Sequence, residues 1–226
     1  MVQNPNWKVI ILLGIPGSGK GTQTQMLAEN PNYVPISTGQ LFRNIDADEF
    51  ADPSEKELVH RIKKGQMVPD YLVYKIAFHA IEQALSSGKI PVLDGAIRSV
   101  DQAKGYEKFF EEKGIADKVA VVEIAITDEL SFKRLATRKV CANCGYIIPY
   151  SPENFKKELC DQCGGKMTVR NDDHPEIVQK RIDTQGNKFL QAIVEYYKEF
   201  GHVFVVDGSR SIPEVDADVR KILGLT

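Results

Sequence analysis

The sequence of 226 residues predicts an α/β fold, with a five-stranded parallel sheet and helices on both of its faces. Short apolar runs alternate along the chain with segments of helical periodicity, which is the pattern of parallel strands joined by helices. A glycine-rich loop joins the first apolar run to the first helical segment. Because such crossovers are right-handed, the carboxyl ends of the strands meet at one edge of the sheet, and ligands bind there.

The predicted strands are apolar runs, most of them near-continuous in hydrophobicity, as strands buried on both faces are. They span residues 7–13, 33–37, 89–94, 118–126 and 202–207. The helical patterns between them span residues 20–29, 54–64, 70–87, 99–113, 128–137, 175–200 and 213–223. The alternation of the two sets fixes the class of fold.

Two segments interrupt this alternation. Residues 38–68 are helical and charged, whereas residues 139–173 are rich in Cys, Gly, Pro and Lys and show little core periodicity. We expect both to be insertions over the ligand edge that move on binding. The remaining residues, 1–37, 69–138 and 174–226, are then the core domain.

The composition excludes several classes of function. The net charge is −2 and the pI is about 6.1, so the protein is not built around a broad nucleic-acid footprint. The first residues, MVQNPNWK, are too short and polar for a secretory signal, and no apolar stretch approaches the roughly 20 residues that span a bilayer. No heptad or exposed apolar stripe demands an oligomer. We expect a cytoplasmic monomer with no nucleic-acid or membrane partner.

The loop after the first strand has the spacing of a phosphate-binding loop, Gly14-x4-Gly19-Lys20. Glycines let successive backbone N–H groups converge on phosphate oxygens, and the helix that follows adds its positive end. Lys20 adds a full charge. Gly21 stands where a Ser or Thr is usual, with Thr22 one residue later, so the metal-binding hydroxyl is not assumed. A plain glycine-rich turn is the alternative, which the strand–loop–helix context disfavours.

Polar residues with the chemistry of a second substrate site follow the next two strands. Thr38 can cap a helix and bond a ligand, and Arg43 follows it in ISTGQLFR. Asp94 ends a buried strand and suits the water shell of a magnesium ion. Arg98 can bind a phosphate with two parallel hydrogen bonds, and Gln102 can recognise the edge of a base.

These motifs occur in the order that is found in the adenylate kinase family of nucleoside monophosphate kinases, which the chain resembles over nearly its whole length. The marks of the resemblance are GIPGSGKGTQ, ISTGQLFR, VLDGAIR with Gln102, RLATRK, VRNDD with Arg181, and VVDG. The resemblance implies a P-loop NTPase fold and phosphoryl transfer from ATP·Mg to AMP, giving two ADP. ATP, AMP and Mg²⁺ are the ligands that it implies.

The resemblance also implies a role for each motif residue. The catalytic residues are Lys20, Arg98, Arg138, Arg170 and Arg181. ATP is bound by Gly17, Ser18, Gly19, Lys20, Gly21, Thr22, Arg134, Arg138 and Arg210. AMP is bound by Thr38, Gly39, Arg43, Val68, Gly95, Arg98, Gln102, Arg170 and Arg181. Asp94 holds the magnesium water shell, and Asp172 and Asp173 close the lid. The alternative for any single arginine is a solvated surface pair.

The four cysteines form a box with the spacing Cys141-x2-Cys144-x15-Cys160-x2-Cys163. This spacing fits a four-thiolate zinc site, which is structural because it leaves no open position for a substrate. In the family that the chain resembles, the segment is the lid over ATP, and some members carry zinc there. A disulfide pair and a nucleic-acid-binding zinc ribbon are the alternatives.

The chain departs from the family pattern at four places. Ala96-Ile97 stand where Phe-Pro is usual, Gln40 stands at a position that is usually acidic, and Ile148-Pro149 stand at a Tyr-His pair. The stretch SPENFKK is shorter than the Asn-Pro-Pro-Lys stretch that is usual in the lid. Three alternatives stay open: a kinase of another nucleoside monophosphate, a catalytically weak nucleotide-binding protein acting through its lid, and a P-loop hydrolase without an acceptor nucleotide.

Overall fold

The computed structural model describes residues 6–47, 52, 56, 69–170, 173–199 and 203–225. It confirms the parallel sheet, whose strands lie in the order β2-β3-β1-β4-β7, each parallel to its neighbour. These strands are β1 (Val9–Leu13), β2 (Tyr33–Ser37), β3 (Ile90–Asp94), β4 (Val119–Ala125) and β7 (Val203–Asp207). Two further short strands, β5 (Val140–Cys141) and β6 (Met167–Thr168), pair antiparallel outside this sheet.

Helices cover both faces of the sheet, as predicted. They are α1 (Lys20–Ala28), α2 (Thr38–Ala47), α3 (Asp70–Ser86), α4 (Val100–Glu112), α5 (Asp128–Ala136), α6 (Pro152–Phe155), α7 (Pro175–Gln185), α8 (Asn187–Lys198) and α9 (Ile212–Leu223). The helix expected over residues 54–64 lies outside the described residues, except for residue 56. In the part of the chain that the structure describes, no helix combines the length and the apolar character needed to cross a membrane.

The side chains of β1 point alternately into two apolar cores, one on each face of the sheet. Ile11 packs in the cluster under α3, α4 and α8, whereas Ile10 packs in the cluster under α1 and α9. All five residues of β1 are buried, because successive side chains of a strand point to opposite faces and both faces are covered by helices. The central strand thereby fixes the start of the glycine-rich loop at the carboxyl edge of the sheet.

The prediction of a single helix over residues 175–200 was wrong, because the structure has two helices there, α7 and α8, which meet at Gly186. A Cβ at Gly186 would lie 2.5 Å from the carbonyl oxygen of Ile182. The Asn187 backbone N–H and side-chain Nδ2 both donate to Oδ1 of Asp128, at 3.1 and 2.8 Å. The break therefore ties α8 to the start of α5.

The last strand is also less buried than its apolar sequence predicts. β7 pairs with β4 on one side and forms an edge of the sheet, and 59% of Val205 is exposed. An edge strand has one strand neighbour, so part of its apolar surface faces solvent even though its sequence is nearly all apolar.

Candidate active site

A cleft of about 1120 Å³ opens at the carboxyl edge of the sheet. Its walls come from the glycine-rich loop, the end of β3, Arg134 of α5 with Arg138 just after that helix, the segment around residues 145–151 and the start of α9. This volume exceeds the roughly 300–1000 Å³ that a pocket for one drug-sized ligand has. The cleft therefore has room for two nucleotides.

The glycine-rich loop is curled around the Lys20 ammonium group. Lys20 Nζ donates to the carbonyl oxygens of Gly14 and Ile15, at 2.7 and 3.0 Å. This arrangement holds a positive charge at the centre of the loop, directly before the amino end of α1. Charge and helix end together favour an anion such as phosphate.

The glycines of this loop are required by its conformation. Gly17 and Gly19 have φ angles of 79° and 107°, which other residues rarely adopt. A Cβ on Gly14 would lie 2.5 Å from Ser18 Oγ and 2.8 Å from the carbonyl oxygen of Ile124. Any larger residue at position 14 would open the loop.

Lys20 is poised to lose its proton more easily than an ordinary lysine. Its pKa is lowered to about 8, chiefly because burial disfavours the charged form. The Asp94 carboxylate raises this pKa, and the nearby Arg98 lowers it. Phosphates would raise this pKa because they supply negative charge beside the ammonium group. The charge of Lys20 is therefore strongly coupled to ligand binding.

This coupling predicts a pH dependence of activity. For the phosphoryl transfer from ATP that the sequence motifs imply, we expect kcat/KM for ATP to fall as the pH rises above about 8, because the protein without nucleotide then loses the Lys20 charge. The value of kcat, which reports on the nucleotide-bound enzyme, should stay level to higher pH. The measurement is a pH profile of both constants. The Lys20→Arg variant keeps its charge over this range, so an unchanged fall in that variant would contradict the assignment.

Six arginines that the sequence singled out line the same cleft. They are Arg98, Arg134, Arg138, Arg170, Arg181 and Arg210. The structure thus brings together residues that are spread over more than a hundred positions of the chain. Phosphoryl transfer needs such a concentration of positive charge, because charge is spread over the transferring oxygens in the transition state.

Asp173 holds two of these arginines. Arg138 donates from Nε and Nη2 to the two carboxylate oxygens of Asp173, at 2.7 Å each, and Arg181 Nη1 lies 3.5 Å from Oδ1. The Asp173 side chain is fully buried, so the pair is desolvated and its geometry is fixed. Asp173 therefore orients both guanidinium groups at the cleft.

Arg134 and Arg210 are held by other contacts. Arg134 donates to the carbonyl oxygen of Ser18 in the loop at 3.4 Å, and burial lowers its pKa. Arg210 forms an ion pair with Asp218. Ser131 Oγ donates to the carbonyl oxygen of Pro16 at 2.6 Å and so ties α5 to the loop. Nothing in the sequence pattern signals this last contact.

Residues of the predicted acceptor side also line the cleft. They are Gly39, Gly95 and Arg98, with Asp94 at the end of β3. Two further residues hydrogen-bond to this lining. Thr38 Oγ1 donates to the carbonyl oxygen of Gly95 at 3.1 Å, and Gln102 Oε1 accepts from the Arg98 backbone N–H at 2.7 Å.

Three predicted residues cannot be placed in this site. Val68 and Asp172 lie outside the described residues. Arg43 belongs to α2, but its side chain also lies outside the described part of the structure.

The places where the chain departs from the family pattern lie at or near the cleft. Ala96 and Ile97 are buried in the larger apolar core, and Ile97 also lines the cleft. Ile148 and Pro149 line the cleft on the opposite side, beside Tyr150. These departures from the family pattern therefore change residues in or near the cleft wall, whereas the arginines that line the cleft are kept.

The four cysteines form one compact group, which we call the thiolate cluster: Cys141, Cys144, Cys160 and Cys163. Their Sγ atoms all lie within 4.8 Å of one another, and the closest pairs are 3.5 and 3.6 Å apart. A disulfide requires about 2.05 Å, so the cysteines are not disulfide-bonded. Zinc–sulfur bonds of about 2.3 Å in a tetrahedron separate the sulfurs by about 3.8 Å. The cluster thus has the donor set and size of a zinc site.

The backbone around the thiolate cluster supports negative charge on sulfur. The N–H groups of Asn143 and Gln162 point at Cys141 and Cys160, at 3.4 Å each. A hydrogen bond from the Gly165 backbone, together with contacts from the Cys144 and Cys141 side chains, lowers the pKa of Cys163. The pKa of Cys144 is raised in turn: a backbone hydrogen bond from Tyr146 lowers it, but contact with the Cys163 side chain and burial outweigh that effect. A Cβ on Gly165 would lie 3.0 Å from Cys141 Sγ, so this glycine leaves room for the cluster. These features fit a metal-bound thiolate better than a neutral thiol.

The parallel sheet with its flanking helices and the glycine-rich loop after β1 are those of the P-loop NTPase fold. The sequence model of the adenylate kinase family matches residues 12–202. The adenylate kinase of Lachnoclostridium phytofermentans is 36% identical over 218 residues, which are 95% of this chain and 97% of that protein. The adenylate kinase of Rickettsia africae is 34% identical over 221 residues, 95% of this chain and 98% of that protein. The chain belongs to the adenylate kinase family.

Proposed function

We propose that the protein catalyses the reversible transfer of the γ-phosphate of ATP·Mg to AMP, which gives two molecules of ADP. One observation carries this proposal. The Lys20 loop, the end of β3 at Asp94 and five arginines of the family motifs line a single cleft with room for two nucleotides. A P-loop hydrolase has no need of an acceptor side, so the second half of the cleft favours a phosphotransferase.

On the donor side, we assign the triphosphate to the loop and the donor-side arginines. The binding residues are Gly17, Ser18, Gly19, Lys20, Gly21, Thr22, Arg134, Arg138 and Arg210. Lys20 balances charge on the transferring phosphate, and Arg138 adds a guanidinium that Asp173 has already oriented. Because both groups are fixed before the reaction, little reorganisation is needed in the transition state.

On the acceptor side, we assign AMP to Thr38, Gly39, Arg43, Val68, Gly95, Arg98, Gln102, Arg170 and Arg181. Arg98 lies at the cleft wall next to Asp94 and can hold the AMP phosphate in line with the donor. Arg181 shares Asp173 with Arg138, so one carboxylate positions arginines that face both substrates.

Asp94 fits the binding of a magnesium ion with ATP. Its carboxylate lines the cleft and lies 3.5 Å from the position of a Cβ on Gly21, at the start of α1. A carboxylate beside a phosphate loop is a suitable hard oxygen donor for this ion or for its bound waters. When bound, magnesium would neutralise charge on the phosphates.

We propose that residues 139–173 act as a zinc-stabilised lid, that residues 38–68 are the monophosphate-binding insertion, and that the remainder is the core domain. The thiolate cluster supplies four ligands and would leave no open position, so its zinc would be structural. Closure of the lid would exclude water and so direct the phosphate to AMP. The cytoplasmic location, the monomeric state and the lack of a nucleic-acid partner stay predictions.

The experiment that tests this function is an assay of ADP formation from ATP·Mg with AMP, CMP, UMP or GMP as acceptor. We expect rapid turnover with AMP. Preference for another monophosphate would keep the phosphotransfer and change its substrate, and ATP turnover at the same rate without any acceptor would contradict the proposal.

A further inference from the structure

The side-chain amide of Gln102 is held between two partners, Asp70 and the cleft-lining residue Arg98. Its Oε1 accepts from the Arg98 backbone N–H at 2.7 Å, and its Nε2 donates to Oδ1 of Asp70 at 2.8 Å. The Gln102 backbone is fixed as well, because its N–H donates to Ser99 Oγ at the start of α4. Both the position and the contacts of the amide are therefore defined.

These two partners permit one orientation of the amide. A backbone N–H can only donate and an ionised carboxylate can only accept. Rotating the amide by 180° would set its NH₂ group against the Arg98 N–H and its oxygen against the Asp70 carboxylate. The carbonyl of Gln102 therefore faces Arg98 and its NH₂ group faces Asp70.

The amide keeps unused hydrogen-bonding capacity for a ligand. It has two N–H donors and two acceptor sites, and each protein partner uses one of them. A 6-aminopurine such as adenine offers a donor at N6 and an acceptor at N1. A 6-oxopurine offers an acceptor at O6 and a donor at N1, which is the reverse order. One orientation of the amide can therefore match one class of purine.

We propose that Asp70 is a positioning residue that fixes the Gln102 amide and so makes the acceptor site select a 6-aminopurine over a 6-oxopurine. The inference rests on the proposed function, because it assumes that a nucleoside monophosphate binds beside Arg98. Asp70 is the partner whose contribution a substitution can test, because the Arg98 N–H is a backbone group that every variant keeps. Asp70 is also exposed and begins α3, so its replacement leaves the core intact.

The test compares AMP with IMP, its 6-oxopurine counterpart, as acceptors for the wild type and for Asp70→Asn and Asp70→Ala. An asparagine can donate or accept, so it can pair with either orientation of the Gln102 amide and leaves only the Arg98 N–H to favour the observed one. We expect the ratio of kcat/KM for AMP to that for IMP to fall by about tenfold in both variants. The change should be in the KM of the two acceptors, while kcat with AMP and KM for ATP stay within about twofold of the wild type.

Asp101→Asn is the matched control. Asp101 lies in the first turn of α4, as Asp70 lies in the first turn of α3, and its side chain is 87% exposed. A carboxylate in a first turn stabilises the helix in either place. If Asp70 acted only in that way, Asp70→Asn would resemble Asp101→Asn and would leave the selectivity ratio unchanged. Such a result would overturn the inference.

A direct measurement of acceptor binding tests this inference separately from the proposed function. Calorimetric titration of AMP and of IMP, without ATP, measures acceptor selectivity independently of turnover. Selective AMP binding that is lost in Asp70→Asn supports the inference even if no phosphate is transferred. Wild-type protein that binds both purines equally overturns it even if the protein is an active kinase.

Discussion

Replacing Lys20 by methionine is expected to lower kcat for phosphoryl transfer by about a thousandfold while the fold is retained. Lys20 Nζ lies within 3.0 Å of two loop carbonyl oxygens and is the charge around which the loop is built. Methionine has a similar length but no charge or donor. The transition state would therefore lose a fixed cation that water cannot replace in a closed cleft. The measurement is steady-state turnover with ATP·Mg and AMP.

Lys104→Met is the control for this substitution. Lys104 belongs to α4, its side chain is 60% exposed, and it lies 3.8 Å from Asp101 outside the cleft. We expect normal turnover in this variant and thermal unfolding close to that of the wild type in both. Turnover of Lys20→Met within a few fold of the wild type would contradict the role given to the loop.

Removing one ligand of the thiolate cluster is expected to have the largest effect on stability. Cys163→Ala should bind no zinc and should lower the free energy of unfolding of residues 139–173 by several kcal/mol, because metal binding in small sites is coupled to folding. Among its described residues, the segment has one small apolar cluster of its own, formed by Cys141, Ile148, Cys160 and Met167. Without the metal this cluster is too small to order the segment. The measurements are zinc content, thermal unfolding and turnover.

Cys163→His is the matched variant, because an imidazole can replace a thiolate as a zinc ligand. Cys163 is exposed, so the larger side chain has room. We expect this variant to keep zinc and to recover most of the lost stability. A metal-free wild-type preparation with unchanged stability and full activity would contradict the structural role of zinc.

Much of the fold is predictable because the sequence features that indicate it lie close together in the chain. The apolar run of β1, the glycines that follow it and Lys20 lie within a dozen residues, and each has a direct physical meaning. The spacing of the cysteines likewise predicts a cluster whose sulfurs the structure brings within 4.8 Å of one another. The family motifs then predict which arginines line the cleft, although the roles of these residues stay predictions.

The rest depends on contacts between residues that are distant in sequence. The break at Gly186 is set by Asp128, which lies 59 positions from Asn187. The bond between Asp70 and Gln102 joins two helices across 32 positions. The exposure of Val205 follows from the order of strands in the sheet. Periodicity and propensity carry no information on such pairings, so sequence patterns alone could not predict them.

The central claim is tested most directly by the reverse reaction, with ADP and magnesium as the only substrates. A nucleoside monophosphate kinase must transfer a phosphate from one ADP to the other, so ATP and AMP should appear in equal amounts without inorganic phosphate. The account predicts this result for the wild type and its loss in Lys20→Met. Release of inorganic phosphate from ADP or ATP, without formation of the paired nucleotide, would contradict it.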